Sequence, residues 1–163
     1  MSRKIMCEVS EKAVCVVNKC IDKNISINTS KLHQLMILIH GTMLSKYKAP
    51  FFSENVYATD IRLVVKELEH DCLSQKISFE ERMQEYICLL QKEEEIIDAI
   101  IEKYASVDFL EIGKEKVLRQ LREFCYDEEN KTNVIVPNEL IEKVFDYYAF
   151  FDSNVVQKKL SKF

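Results

Sequence analysis

The chain has 163 residues, a formal net charge of −4, 47% hydrophobic residues and 31% charged residues. That balance supports one folded domain with its own core and excludes a disordered chain. Two Gly and two Pro are too few for a sandwich or barrel of many tight hairpins, or for a long glycine-rich phosphate loop.

Apolar residues at helical spacing (Ala13, Val14, Val17, Ile21) predict a first helix over Glu8 to Asp22. After a short connection from Asn24 to Asn28, the residues Asn28, Thr29 and Ser30 each qualify as an N-cap. The second helix, Ser30 to Lys46, carries Leu32, Leu35, Met36, Ile39 and Met43 on one stripe, and Ile37 and Leu38 extend it round the cylinder. A helix apolar on most sides is buried, so this one is expected at the centre of the core. Gly41 lies inside it, where Gly costs about 1 kcal/mol relative to Ala, and a close helix contact would compensate. Pro50 stops the helix.

Val56 and Tyr57 suggest a short strand, and Asp60 caps a helix over Ile61 to Leu73. Ser78 with Glu81 forms a capping box before a helix carrying Met83, Tyr86, Ile87 and Leu90. That helix either continues into Glu93–Tyr104 or breaks near Gln91. Asp108 with Glu111 opens another helix, through Ile112, Val117, Leu118, Leu121 and Phe124, with an irregularity at Gly113. A polar, acidic loop from Tyr126 to Asn133 precedes a second short strand, Val134 to Val136. Pro137 and Asn138 then start a last helix with Leu140, Ile141, Val144, Phe145 and Tyr148. The expected fold is mainly α: a compact domain of about six helices with at most a small two-stranded sheet. No repeat and no Gly-, Ser- or Pro-rich linker divides residues 1–163.

Lys and Arg are scattered. Only Arg3 and Lys4, then Lys158, Lys159 and Lys162, make the termini basic. No extended basic face emerges, so direct nucleic-acid binding is not expected. The apolar runs Leu35–Ile39 and Ile96–Ile101 are too short to span a bilayer. Met1 to Glu8 has no apolar segment of a signal peptide, so a cytoplasmic location and free thiols at Cys7, Cys15, Cys20, Cys72, Cys88 and Cys125 are expected. The Asn-x-Ser/Thr triplets at Asn24, Asn28 and Asn130 then have no glycan to accept.

His33 and His40 share a helix face, and with Cys15 or Cys20 nearby they invite a zinc reading. The close ligand pairs of structural zinc sites are absent. No serine hydrolase, kinase or triad-like cysteine signature is present. Glu93 to Glu95 read as a solvated helix face. Asp127, Glu128 and Glu129 read as a solvated loop or as an acidic surface for a basic partner. Phe51, Phe52 and Tyr57, with the later cluster Tyr147, Tyr148, Phe150 and Phe151, either close the ends of a helical bundle or anchor a partner.

Lys31-Leu32-His33-Gln34-Leu35 is followed by Gly41 nine positions beyond Leu32, then by Tyr47-Lys48-Ala49-Pro50-Phe51-Phe52 and Val56-Tyr57-Ala58. This stretch, Ile27 to Tyr57, resembles the opening of the Panacea domain, also called the SocA-like antitoxin domain. The family's pattern runs K-L-x-K-L-x-Y-x-x-x-G, x-Y-x-x-P-x-F and a short strand. Ile96–Asp108 and Val136–Tyr147 resemble its later segments. Two places depart from it: Thr59-Asp60-Ile61-Arg62-Leu63 replaces a Tyr-Gly-Pro-Val turn, and Cys125-Tyr126-Asp127-Glu128-Glu129 replaces an aromatic-rich segment. The resemblance implies one helical domain that binds rather than catalyses, needs no cofactor, and acts as a type II antitoxin by complexing a cognate toxin. The family is common in phages and mobile elements. The alternative on the same scaffold is a mobile-element inhibitor of a bacterial defence nuclease, of the anti-CRISPR kind, and a cytosolic enzyme with a cryptic Cys or His site is a third reading. The candidate partner-binding residues are Phe51, Phe52, Tyr57, Arg62, Tyr126, Asp127, Glu128 and Glu129.

Overall fold

The computed structural model describes residues 6–59, 61–125 and 134–148. Within them the fold is mainly helical: α1 (Glu8–Asp22), α2 (Thr29–Tyr47), α3 (Lys66–Leu73), α4 (Gln91–Tyr104), α5 (Phe109–Ile112), α6 (Lys116–Cys125) and α7 (Asn138–Tyr147). The strands are β1 (Val56–Ala58), β2 (Leu63–Val64) and β3 (Val134–Val136). They form one antiparallel sheet with β1 in the middle, pairing Tyr57 with Val64 on one side and with Ile135 on the other. The sheet therefore has one strand more than the sequence suggests. None of the helices described is long and apolar enough to cross a membrane.

α2 is the axis of the fold. Asn28 Oδ1 accepts from the Lys31 amide at 2.8 Å and caps its start. Lys48, in the left-handed region at φ 57°, ends it by donating its amide to the Leu44 carbonyl. From Leu35 to Leu44 every side of the helix is buried, and α1, α3, α4, α5, α7 and β2 all pack on it. Gly41 faces α7 in one of these contacts. A Cβ there would lie 2.3 Å from Cε1 and Cζ of Phe145 on α7. The missing side chain is what lets the buried Phe145 ring reach the α2 backbone.

Two helices expected from sequence are shortened or absent. Leu63 and Val64 join the sheet, so only Lys66–Leu73 is helical in the span expected to coil from Ile61. Thr59 closes the turn between β1 and β2: its Oγ1 accepts from the Arg62 amide at 3.0 Å, and its own amide donates to the Arg62 carbonyl at 2.8 Å. Asp60, the expected cap, lies outside the described residues. Residues 78–90 are not helical, although Ser78 Oγ accepts from the amides of Glu80 and Glu81 as a cap does. The reason is Asn18 on α1. Its buried amide donates to the Met83 carbonyl at 2.8 Å and accepts from the Met83 amide at 3.1 Å. Both backbone groups of Met83 are thereby committed to a distant side chain instead of a helix. α4 starts at Gln91, at the break the sequence allowed.

Candidate functional site

The expected anchors Phe51 and Phe52 are 0% and 1% exposed. They belong to the core, which corrects their assignment to a partner surface. Two distant side chains hold them there. Lys12 Nζ donates to the Phe51 carbonyl and also pairs with Glu93 Oε2 at 2.8 Å. The His40 ring stacks on Phe52 with centroids 4.0 Å apart, accepts the Phe51 amide on Nδ1 at 3.1 Å, and faces Asn138 Oδ1 with Nε2 at 3.0 Å. These partners assign the neutral Nε2–H tautomer. Burial, against the hydrogen bond to Asn138 and with help from the Lys12 charge, pushes the His40 pKa down to about 4. The cluster ties α1, α2, α4, α7 and the Phe51 turn together. Its polar groups are satisfied within the core, so its role is structural.

Tyr57 is half-buried on β1, with the Lys66 ammonium 4.0 Å from its ring centroid. Tyr126, Asp127, Glu128 and Glu129 lie outside the described residues, as do Phe150 and Phe151. Tyr147 is exposed on α7 and meets Tyr148 edge-on at 4.9 Å; with Phe124 they border a shallow groove between α6 and α7.

Arg62 stands at the mouth of a larger opening. A cleft of about 630 Å³ runs between α2, the β1–β2 turn, α5 and α6. Its apolar part comes from Ile37, Ile61, Leu63, Phe109, Leu110 and Leu118. Ile61 is 76% and Leu110 66% exposed, and in one cleft they form part of an exposed apolar patch. The cations Arg62, Lys114, Arg119 and Arg122 line the same cleft, and no Asp or Glu is among the described residues lining it. Arg62 pairs with Glu69, and Lys114 with Glu111 at 3.0 Å. Arg119 is exposed.

Local sequence explains the geometry. Asp108 Oδ1 caps α5 by accepting the Glu111 amide at 3.0 Å. The one-turn helix then ends at Gly113, so Phe109 and Leu110 protrude instead of joining the buried stripe of Val117, Leu118 and Leu121. Gln34 on α2 pins this turn by donating Nε2 to the Phe109 carbonyl at 2.8 Å. Arg119 and Arg122, three apart on α6, share its cleft-side face. Sequence reasoning found Arg62 and missed Leu110, Arg119 and Arg122. The available signal was an apolar pair directly after a cap, out of phase with the stripe that follows.

His33 also borders the cleft. Its ring nitrogens face the carbonyls of Thr29 at 3.1 Å and Val65 at 3.3 Å, and burial pushes its pKa down despite both bonds. Among the described residues, no three His, Cys, Asp or Glu side chains gather as a metal site. Burial pushes the thiols of Cys15 and Cys72 up to about 12 and about 11, and raises those of Cys7, Cys20 and Cys125. An activated cysteine nucleophile requires the opposite shift. Compared with models of protein families, with characterised proteins and with solved structures, the chain matches none.

Proposed function

We propose that this protein acts by binding another protein and neutralising it, as an antitoxin that blocks a cognate toxin through complex formation. The observation that carries the reading is the cleft beside α5, where exposed aliphatic side chains share the lining with four cations. Such a surface is stable in water but gains from being covered. The resemblance of Ile27–Tyr57 to the Panacea domain supports the same reading. The test is co-expression with the product of the adjacent gene. A stable complex and restored growth are expected; free monomer and no rescue refute the proposal.

A second reading is inhibition of a bacterial defence nuclease. It is favoured by the position of the Thr59–Leu63 turn, which departs from the family pattern and supplies Ile61 and Arg62 to the cleft. A change of partner is most economically made at the surface that touches it. Plaque formation in hosts with and without the nuclease separates the two readings.

A further inference from the structure

We infer that the cleft takes an acidic amphipathic segment of a partner protein, with aliphatic or aromatic side chains set between Asp and Glu residues. The inference rests on the binding role proposed above and adds the chemistry of what is bound. Two features select this occupant. The first is charge. The described lining has four cationic side chains and no carboxylate; Arg62 and Lys114 pair with Glu69 and Glu111 beside it, and the chain as a whole carries a net −4. Arg119 forms no ion pair among the described residues, and a partner carboxylate supplies what it lacks. Arg in such a place favours planar, bidentate pairing with carboxylates. The second feature is the interior. Ile61, Leu63, Leu110 and Leu118 are aliphatic, and they offer burial to apolar side chains.

A single-stranded nucleic acid would also meet the cations. Its bases, however, need flat aromatic platforms, and the only aromatic ring besides His33 among the described lining residues is Phe109. Nor do four cations within an acidic chain make the extended basic track that phosphate recognition uses. A peptide segment satisfies both halves of the surface at once. Apolar anchors at helical spacing would enter the interior while an intervening carboxylate reaches Arg119.

The experiment selects peptides from a random 16-residue phage library on the full chain, then measures fluorescein-labelled winners by anisotropy. Winners rich in Asp and Glu, with Leu, Ile or Phe between them, are expected. Their affinity should fall at least tenfold in Arg119→Glu and in Leu110→Asp, and by a smaller factor in Arg119→Ala. It should also fall as salt rises from 0.05 to 0.5 M. Both positions are exposed, so an unchanged melting temperature accompanies these losses. Winners without acidic enrichment, or binding indifferent to all three variants, overturn the inference. So does tighter binding of a labelled 20-nucleotide single strand that the same variants abolish. Binding that appears only after Asp127, Glu128 and Glu129 are changed to Asn, Gln and Gln makes the chain's own acidic stretch the occupant, and overturns it too. Neutralisation is measured separately in the same variants. If neutralisation persists in Arg119→Glu and Leu110→Asp, the cleft is not the contact and the inference fails while the antitoxin reading stands. If acidic peptides bind as described and no partner is neutralised, the antitoxin reading fails and the cleft assignment stands.

Discussion

Gly41→Ala is the sharpest probe of how the core is assembled. In an ordinary helix this change stabilises by about 1 kcal/mol, because Ala is the better helix former. Here the added methyl would meet three carbons of the Phe145 ring at 2.3, 2.3 and 2.6 Å. Non-bonded carbons rest about 3.5–4.0 Å apart, so the ring has to retreat by more than about 1 Å. Phe145 is 1% exposed and lies within the main apolar cluster, so no open space receives it. Overpacking of this kind costs about 1–3 kcal/mol. A clash this close sits at the upper end, which leaves a net loss of about 2 kcal/mol after the propensity gain. For a chain of this length that lowers the melting temperature by roughly 4–8 °C. Urea unfolding should show an earlier midpoint with an unchanged slope. Phe145→Leu, which removes two of the clashing carbons, should cost less when combined with Gly41→Ala than on its own, by at least about 1 kcal/mol in the double-mutant cycle. A Gly41→Ala protein as stable as the parent, or more stable, would refute the packing argument.

Three further outcomes follow from the buried polar groups. Asn18→Ala strands both backbone groups of Met83; it should cost about 2 kcal/mol and speed tryptic cleavage after Arg82, and unchanged hydrogen exchange over residues 78–90 would contradict this. His40 has a folded pKa of about 4 against about 6.5 when unfolded, so the unfolded chain takes up the proton first. Stability should be insensitive to this group above pH 7 and fall by about 3 kcal/mol as pH drops from 7 to 4. His33, shifted in the same direction, adds to the fall; urea midpoints for the parent and His40→Gln across that range check the sign. Finally, iodoacetamide at pH 8 should modify the exposed Cys88 first, while Cys15 and Cys72 react only in denaturant, as mass spectrometry of the labelled thiols would read.

Much of the fold is legible because its signals are local. Asn28 caps α2, Asp108 caps α5, Gly113 separates α5 from α6, and Pro137 precedes α7. Each instruction is written within a few residues of the place where it acts. Residues 78–90 carry an equally good capping signal at Ser78, and it loses to Asn18, which lies 65 positions before the Met83 it binds. Leu63-Val64-Val65 suits a helical stripe and a buried strand alike; pairing of Leu63 with Ala58 and of Val64 with Tyr57 decides between them. Phe51 and Phe52 looked available for contact because nothing near them in sequence announces Lys12 and His40. The cleft was half visible. Arg62 stood out as a departure from a pattern, whereas Arg119 and Arg122 became neighbours of Ile61 only through folding.

The burial of α2 on all sides also shapes the birth of the molecule. Its last residue is Tyr47, and the far wall that covers it, α7, is complete only at Tyr147. At about 5–20 residues per second, a ribosome needs roughly 5–20 s to cross that interval. Throughout it the most oil-like segment of the nascent chain waits without its final cover. A chain released before Asn138 would leave that face of α2 without α7, with its apolar surface open to water.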